Sequence, residues 1–157
     1  MAFELSSLGY AVSRGFKEAM AAYALEPRDF AVLRTLGAVE GQSQQALASR
    51  LQIPPSRMVA IVDQLELRGL VERRPHATDR RIRELFLTAT GRELFAQAHA
   101  EALGYDRHVT ASLSRAEREQ LLDLLARIAA DLGIGVGPAA PHAAVREEQE
   151  APGASAA

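Results

Sequence analysis

The chain has 157 residues, of which 48% are apolar, 24% charged and 5% aromatic, and its net charge is −2. Alanine supplies 30 of the 75 apolar residues, so the larger side chains suffice for one compact helical domain, or one with an appendage, and are thin for a wide sandwich or barrel. The absence of cysteine excludes a disulfide scaffold, a thiolate metal site and thiol chemistry, and no apolar run is long enough for a membrane-spanning helix.

Residues 4–24 read as a helix, because Leu5, Leu8, Val12, Phe16 and Met20 recur at spacings of three and four. Leu25-Glu26-Pro27 breaks it and opens another helix, with Pro27 suited to a first helical position. Phe30, Leu33 and Leu36 give that helix its buried stripe, which ends near Gly37 or Gly41. Ser43 is placed to cap a short helix carrying Ala46, Leu47 and Leu51. Ile53-Pro54-Pro55 must turn, since a residue before proline is pushed out of the helical region. A further helix runs from Pro55 to about Arg68 with Met58, Ile61, Val62 and Leu65 inward, and Gly69 stops it.

The period then changes. Leu70 to Arg74 and Ile82 to Leu87 read as short strands flanking the polar connection from Pro75 to Arg81, a hairpin with a basic tip. Thr88 can cap a long helix through Leu94, Phe95, Ala98, Ala102 and Leu103. Ser114 and Glu117 form a capping box that opens a last helix with Leu121, Leu122, Leu125, Ile128 and Leu132. From Gly133 the composition is rich in Gly, Pro and Ala. Such a stretch buries too little surface to offset its ordering entropy, so residues 133–157 are expected to form a disordered tail.

This order predicts an all-α fold with a small β-wing, a winged helix-turn-helix. In that motif the second helix enters the major groove and its first residues meet base edges. Charge is distributed accordingly. Residues 28–92 hold 11 Arg against 7 acidic residues, a balance of +4, while the rest of the chain carries −6. An alanine- and arginine-rich codon bias accounts for the composition alone equally well. The hairpin is more specific: Arg73, Arg74, Arg80, Arg81 and Arg83 place five guanidinium groups within eleven residues. They would repel one another on a plain surface, so a polyanionic partner explains them better.

The residues from Leu25 to Gly91 resemble the MarR family of bacterial transcription regulators. The likeness rests on Phe30-x-x-Leu33-x-x-Leu36, Leu47-Ala48, Val62-Asp63-x-Leu65-Glu66, Gly69-Leu70-Val71-x-Arg73, Asp79-Arg80-Arg81 and Leu87-Thr88-x-x-Gly91. It implies a domain over residues 1–132, with DNA-binding residues 25–87 between outer dimerisation helices at 4–24 and 88–132. The implied function is a sequence-specific DNA-binding regulator, a repressor released by a small ligand. The alternative is a winged-helix module that binds a protein and holds DNA weakly. The implied partners are a pseudo-palindromic duplex, a second copy of the chain and a small aromatic or phenolic effector.

The residues expected to face DNA are Ser43, Gln44, Pro55, Ser56, Arg57, Ala60, Arg74, Asp79, Arg80 and Arg81. Arg57 can meet guanine or a phosphate, and Ala60, where many relatives carry a polar residue, can meet a thymine methyl. The family's wing roles fall on Asp79, which holds the tip by pairing with arginine, and on Arg81, which points into the minor groove. Pro54 stands where relatives often have a Ser or Thr cap, so the start of this helix is open by a residue or so. Tyr10 and Arg14 share a helix face and offer a ring and a carboxylate partner to an effector; equally, Tyr10 packs a dimer interface and Arg14 is solvated. His76, His99, His108 and His142 show no metal-ligand spacing. No cofactor, metal or catalytic residue is expected. The start Met1-Ala2-Phe3-Glu4 lacks the basic residues of a secretory signal, which leads to the expectation of a cytoplasmic protein off the membrane.

Overall fold

The structure, a computed structural model, describes residues 1–76 and 82–133. Helix α1 (Ala2–Ala21) leads into α2 (Pro27–Ala38), a short strand β1 (Gln42–Ser43), α3 (Gln44–Leu51) and α4 (Pro55–Leu67). Strands β2 (Val71–Pro75) and β3 (Arg83–Leu87) follow, then α5 (Ala89–Val109) and α6 (Arg115–Asp131). The strands form one antiparallel sheet in the order β1-β3-β2. This is the helical fold with a small wing that the element order predicts.

Local chemistry sets most boundaries. The first helix stops at Ala21 rather than 24, because Ala24 adopts a left-handed backbone with φ 51° and the Leu25 N–H bonds back to the Met20 carbonyl. Pro27 takes the first position of α2, where Glu26 and Asp29 cap each other reciprocally. Burial raises the pKa of the Asp29 carboxyl, although the Glu26 N–H at 2.9 Å opposes that shift. Ser43, Thr88 and Ser114 accept from the backbone N–H groups of Ala46, Gly91 and Glu117, so each caps the helix that the sequence assigns to it.

Strand β1 is not anticipated by the sequence, since two residues carry no alternation to read. It forms because Gly41, at φ +74°, turns the chain leaving α2 onto the sheet edge. The Gly41 N–H then bonds the Leu85 carbonyl at 3.1 Å, and Gln42 and Ser43 pair with Leu85 and Glu84.

The core lies between α2, α3, α4 and the sheet: Leu33, Leu36, Leu47, Met58, Leu65 and Leu85 are fully enclosed. Helix α1 docks only through its second half. Phe16 and Met20 are buried, whereas Leu8 of the same stripe is 60% exposed. Leu103 of α5 is also half exposed, and on α6 Leu122 is 67% exposed and Leu125 and Ile128 are open to solvent. One copy of the chain therefore leaves apolar stripes uncovered at both ends. No described helix is long and apolar enough to cross a membrane. The wing residues Asp79, Arg80 and Arg81 and the expected tail beyond Gly133 lie outside the described residues.

Candidate nucleic-acid interface

Helices α3 and α4 form the helix-turn-helix. Helix α3 ends at Gln52 in a left-handed conformation, φ 51°, and the Ile53 N–H closes onto the Ala48 carbonyl at 3.0 Å. Pro54, extended at ψ 138°, stands as N-cap without a side-chain bond, and Pro55 opens the helix. The expected start at Pro55 therefore holds even without a Ser or Thr cap. Because Pro55 has no N–H, it wastes no donor in the first turn, where donors lack intrahelical partners. Met58, Ile61, Val62 and Leu65 face the core. Pro55, Ser56, Arg57 and Ala60 are exposed together, and Arg57 makes no ion pair with any described residue.

The hairpin packs against the other end of α4, and one guanidinium joins them. Arg73 of β2 reaches Asp63 at 2.5 Å and also pairs with Glu66, both on α4. It further donates to the Gln44 amide oxygen, the first residue of α3, at 3.0 Å. Its side chain is only 22% exposed. Arg73 is therefore not a free wing cation, which corrects the expectation of five guanidinium groups turned to a polyanion. Arg74 is held in part as well: it pairs with Glu72 at 2.5 Å and lies 4.6 Å over the Phe86 ring. Arg68 donates to the Ala24 and Tyr23 carbonyls, and Arg92 pairs with Glu40. Several arginines of this segment are thus engaged within the fold, while its net +4 is unchanged by pairing with acids already counted in it.

Of the other residues expected at DNA, Ser43 and Gln44 lie half-buried at the start of α3. Ser43 uses its hydroxyl as the cap, and Gln44 its oxygen as a partner of Arg73. The sequence gives no sign of these contacts, because Arg73 and Gln44 stand 29 positions apart. At the wing base, His76 is 3.6 Å from Glu84.

Tyr10 is 60% exposed on α1, and Arg14 sits 3.9 Å from Glu18. Neither lines the cleft at the α1–α2 turn formed by Lys17, Ala21, Ala24, Leu25 and Glu26. Deeper between α1, α2 and α5, Phe30 meets Phe16 and Phe95 at 5.4 and 5.9 Å, and His99 stacks on Phe95 at 5.4 Å. Among the described residues no three His, Asp or Glu side chains are grouped to hold a metal ion.

A model of the MarR family matches residues 25–82. A transcriptional regulatory protein named for the hcr operon of Thauera aromatica is 35% identical over 102 residues, 65% of this chain and 61% of that protein. The chain spans less than two thirds of the length of the curated relatives it matches. Among solved structures, the transcriptional repressor CouR bound to a 23-mer DNA duplex is 35% identical, with a TM-score of 0.77 over 82% of this chain and 92% of that one. CouR from Rhodococcus jostii RHA1 bound to p-coumaroyl-CoA is 29% identical, with a TM-score of 0.70 over 82% and 90% of the two chains.

Proposed function

The chain belongs to the MarR family, and from that premise we propose that it is a homodimeric, sequence-specific DNA-binding regulator of transcription. The observation that carries this reading is the exposed start of α4, with Arg57 free of described ion partners, together with a basic hairpin packed at the other end of the same helix. A helix presented in this way fits the major groove, and the hairpin tip then reaches the adjacent minor groove. The apolar stripes left open on α1 and α6 support association with a second copy about a two-fold axis. A dimer seated on promoter DNA obstructs polymerase without further chemistry, so repression is the natural sign. CouR from Rhodococcus jostii RHA1, bound to the aromatic thioester p-coumaroyl-CoA, supports an aromatic effector that releases DNA; Tyr10 and Arg14 remain its proposed contacts.

Binding-site selection from a random duplex library tests the reading, together with light scattering of the free protein. The expected outcome is a dimer and a pseudo-palindrome with half-site centres about 10 bp apart, one turn of the double helix. A monomer at micromolar concentration, or a single unrepeated site, overturns it.

The wing roles make a second test. Arg81→Ala should cost about 1–3 kcal/mol of binding, more where A·T pairs narrow the minor groove. Arg74→Ala should weaken all sequences about equally and lower the salt slope by about one unit. Asp79→Ala should also weaken binding, although it removes a negative charge, because the tip loses the carboxylate that orients its arginine. Tighter binding by Asp79→Ala, with the dimer intact, contradicts an organised wing.

A further inference from the structure

The first two turns of the outward face of α4 offer few hydrogen-bonding groups to a groove, the amide of exposed Gln64 lying one turn beyond Ala60. Ser56, Ala60, Asp63 and Leu67 recur at spacings of four, three and four, and all are exposed, so they form one row along the helix. Arg57 lies to one side of this row and Val59, 41% exposed, to the other. Asp63 is the carboxylate of that row and, with the Ser56 hydroxyl, can accept from the cytosine amino group. Its Oδ1, however, is held 2.5 Å from the Arg73 guanidinium. The first two turns, which precede Asp63, present the Ser56 hydroxyl, the Arg57 fork and the methyl groups of Val59 and Ala60.

In the major groove, a base pair displays a single apolar group, the C5-methyl of thymine. Pressing the Val59 side chain against any other base edge dehydrates a polar group without replacing its hydrogen bond, which is unfavourable. Against a methyl, both surfaces leave water and both gain.

We infer that Val59 and Ala60 form a methyl-reading surface, which selects thymine at the base pairs it faces and accepts 5-methylcytosine there in place of thymine. Cytosine methylation at such a position then strengthens binding, so the interface distinguishes methylated from unmethylated DNA. This rests on the DNA-binding reading above.

The test uses the full chain and the duplexes it enriches from a random library. Each thymine of the enriched site is replaced in turn by uracil, which lacks only the methyl, and by cytosine or 5-methylcytosine paired with guanine. At one or two positions per half-site, uracil is expected to lower affinity about fourfold, the equivalent of ~0.8 kcal/mol for one buried methyl group. At the same positions 5-methylcytosine binds about fourfold tighter than cytosine. Val59→Ala, an exposed change to a better helix former, shrinks the uracil penalty to less than twofold. Uracil tolerated at every thymine, or a penalty unchanged by Val59→Ala, overturns the inference and leaves DNA binding intact. Failure to enrich any duplex overturns the DNA-binding reading itself and the inference with it.

Discussion

Gly91→Ala is expected to destabilise the fold by about 3 kcal/mol, at the upper end of the cost of overpacking. Gly91 stands in the first turn of α5, where the Thr88 hydroxyl accepts from its N–H at 2.9 Å. A Cβ at this position would lie 1.9 Å from the Leu70 carbonyl oxygen and 2.8 Å from its carbon. The obstacle is backbone, so no rotamer change relieves it. Nor can the Leu70 carbonyl retreat freely, since it accepts the Thr88 N–H at 3.1 Å while the Thr88 hydroxyl donates to the neighbouring Gly69 carbonyl at 2.6 Å. Moving α5 away from Leu70 disturbs the adjacent Val71–Leu87 pair at the base of the wing, so DNA affinity should fall together with the melting temperature. Gly104→Ala in the same helix is the control. Its Cβ would meet only the Arg107 guanidinium at 3.9 Å, and the gain in helix propensity should stabilise by roughly 0.5–1 kcal/mol. Thermal melts of the two variants should shift in opposite directions; a harmless Gly91→Ala contradicts the close approach.

What could be read in the sequence is what short-range chemistry decides. The stripes of α2 and α4 repeat within each helix, and Ser43, Thr88 and Ser114 act on N–H groups three residues away. The helices, their caps and the hairpin were legible for that reason. The spacing Leu87-Thr88-x-x-Gly91 was legible too, but its cause was not, because the Cβ clash involves Leu70, which is distant in sequence. Periodicity also does not say what covers a stripe. Leu5, Leu8, Phe16 and Met20 share one pattern, yet only the last two meet the core of the same chain. Charge counting fails similarly, for Arg57 and Arg73 are the same residue type in one basic segment, yet Arg57 is exposed and Arg73 is held. The spatial nearness of Asp63, Glu66 and Gln44 is what withdraws Arg73.

Arg73→Ala is therefore expected to act differently from the loss of a phosphate contact. Arg73 has a side chain 22% exposed, and its partners Asp63 and Glu66 are 57% and 41% exposed. Solvent screens pairs this open, so the stability lost should be only about 1–2 kcal/mol. A second effect, distinct from stability, falls on binding. Without Arg73, two carboxylates on α4 stand unpaired on or beside the row proposed to face DNA. Losing one guanidinium makes this cluster more negative by one unit charge, which repels a phosphate by ~1 kcal/mol at about 8 Å with an effective dielectric near 40. That weakens binding about fivefold. Since Arg73 releases no counterion from DNA, the salt slope should not fall by the unit expected for Arg74→Ala. Asp63→Asn placed in the Arg73→Ala background should recover part of the affinity by removing one unpaired charge, and the double-mutant cycle measures that coupling. If the slope instead falls by about one unit and Asp63→Asn restores nothing, Arg73 contacts phosphate directly and the clasp on α4 is incidental to binding.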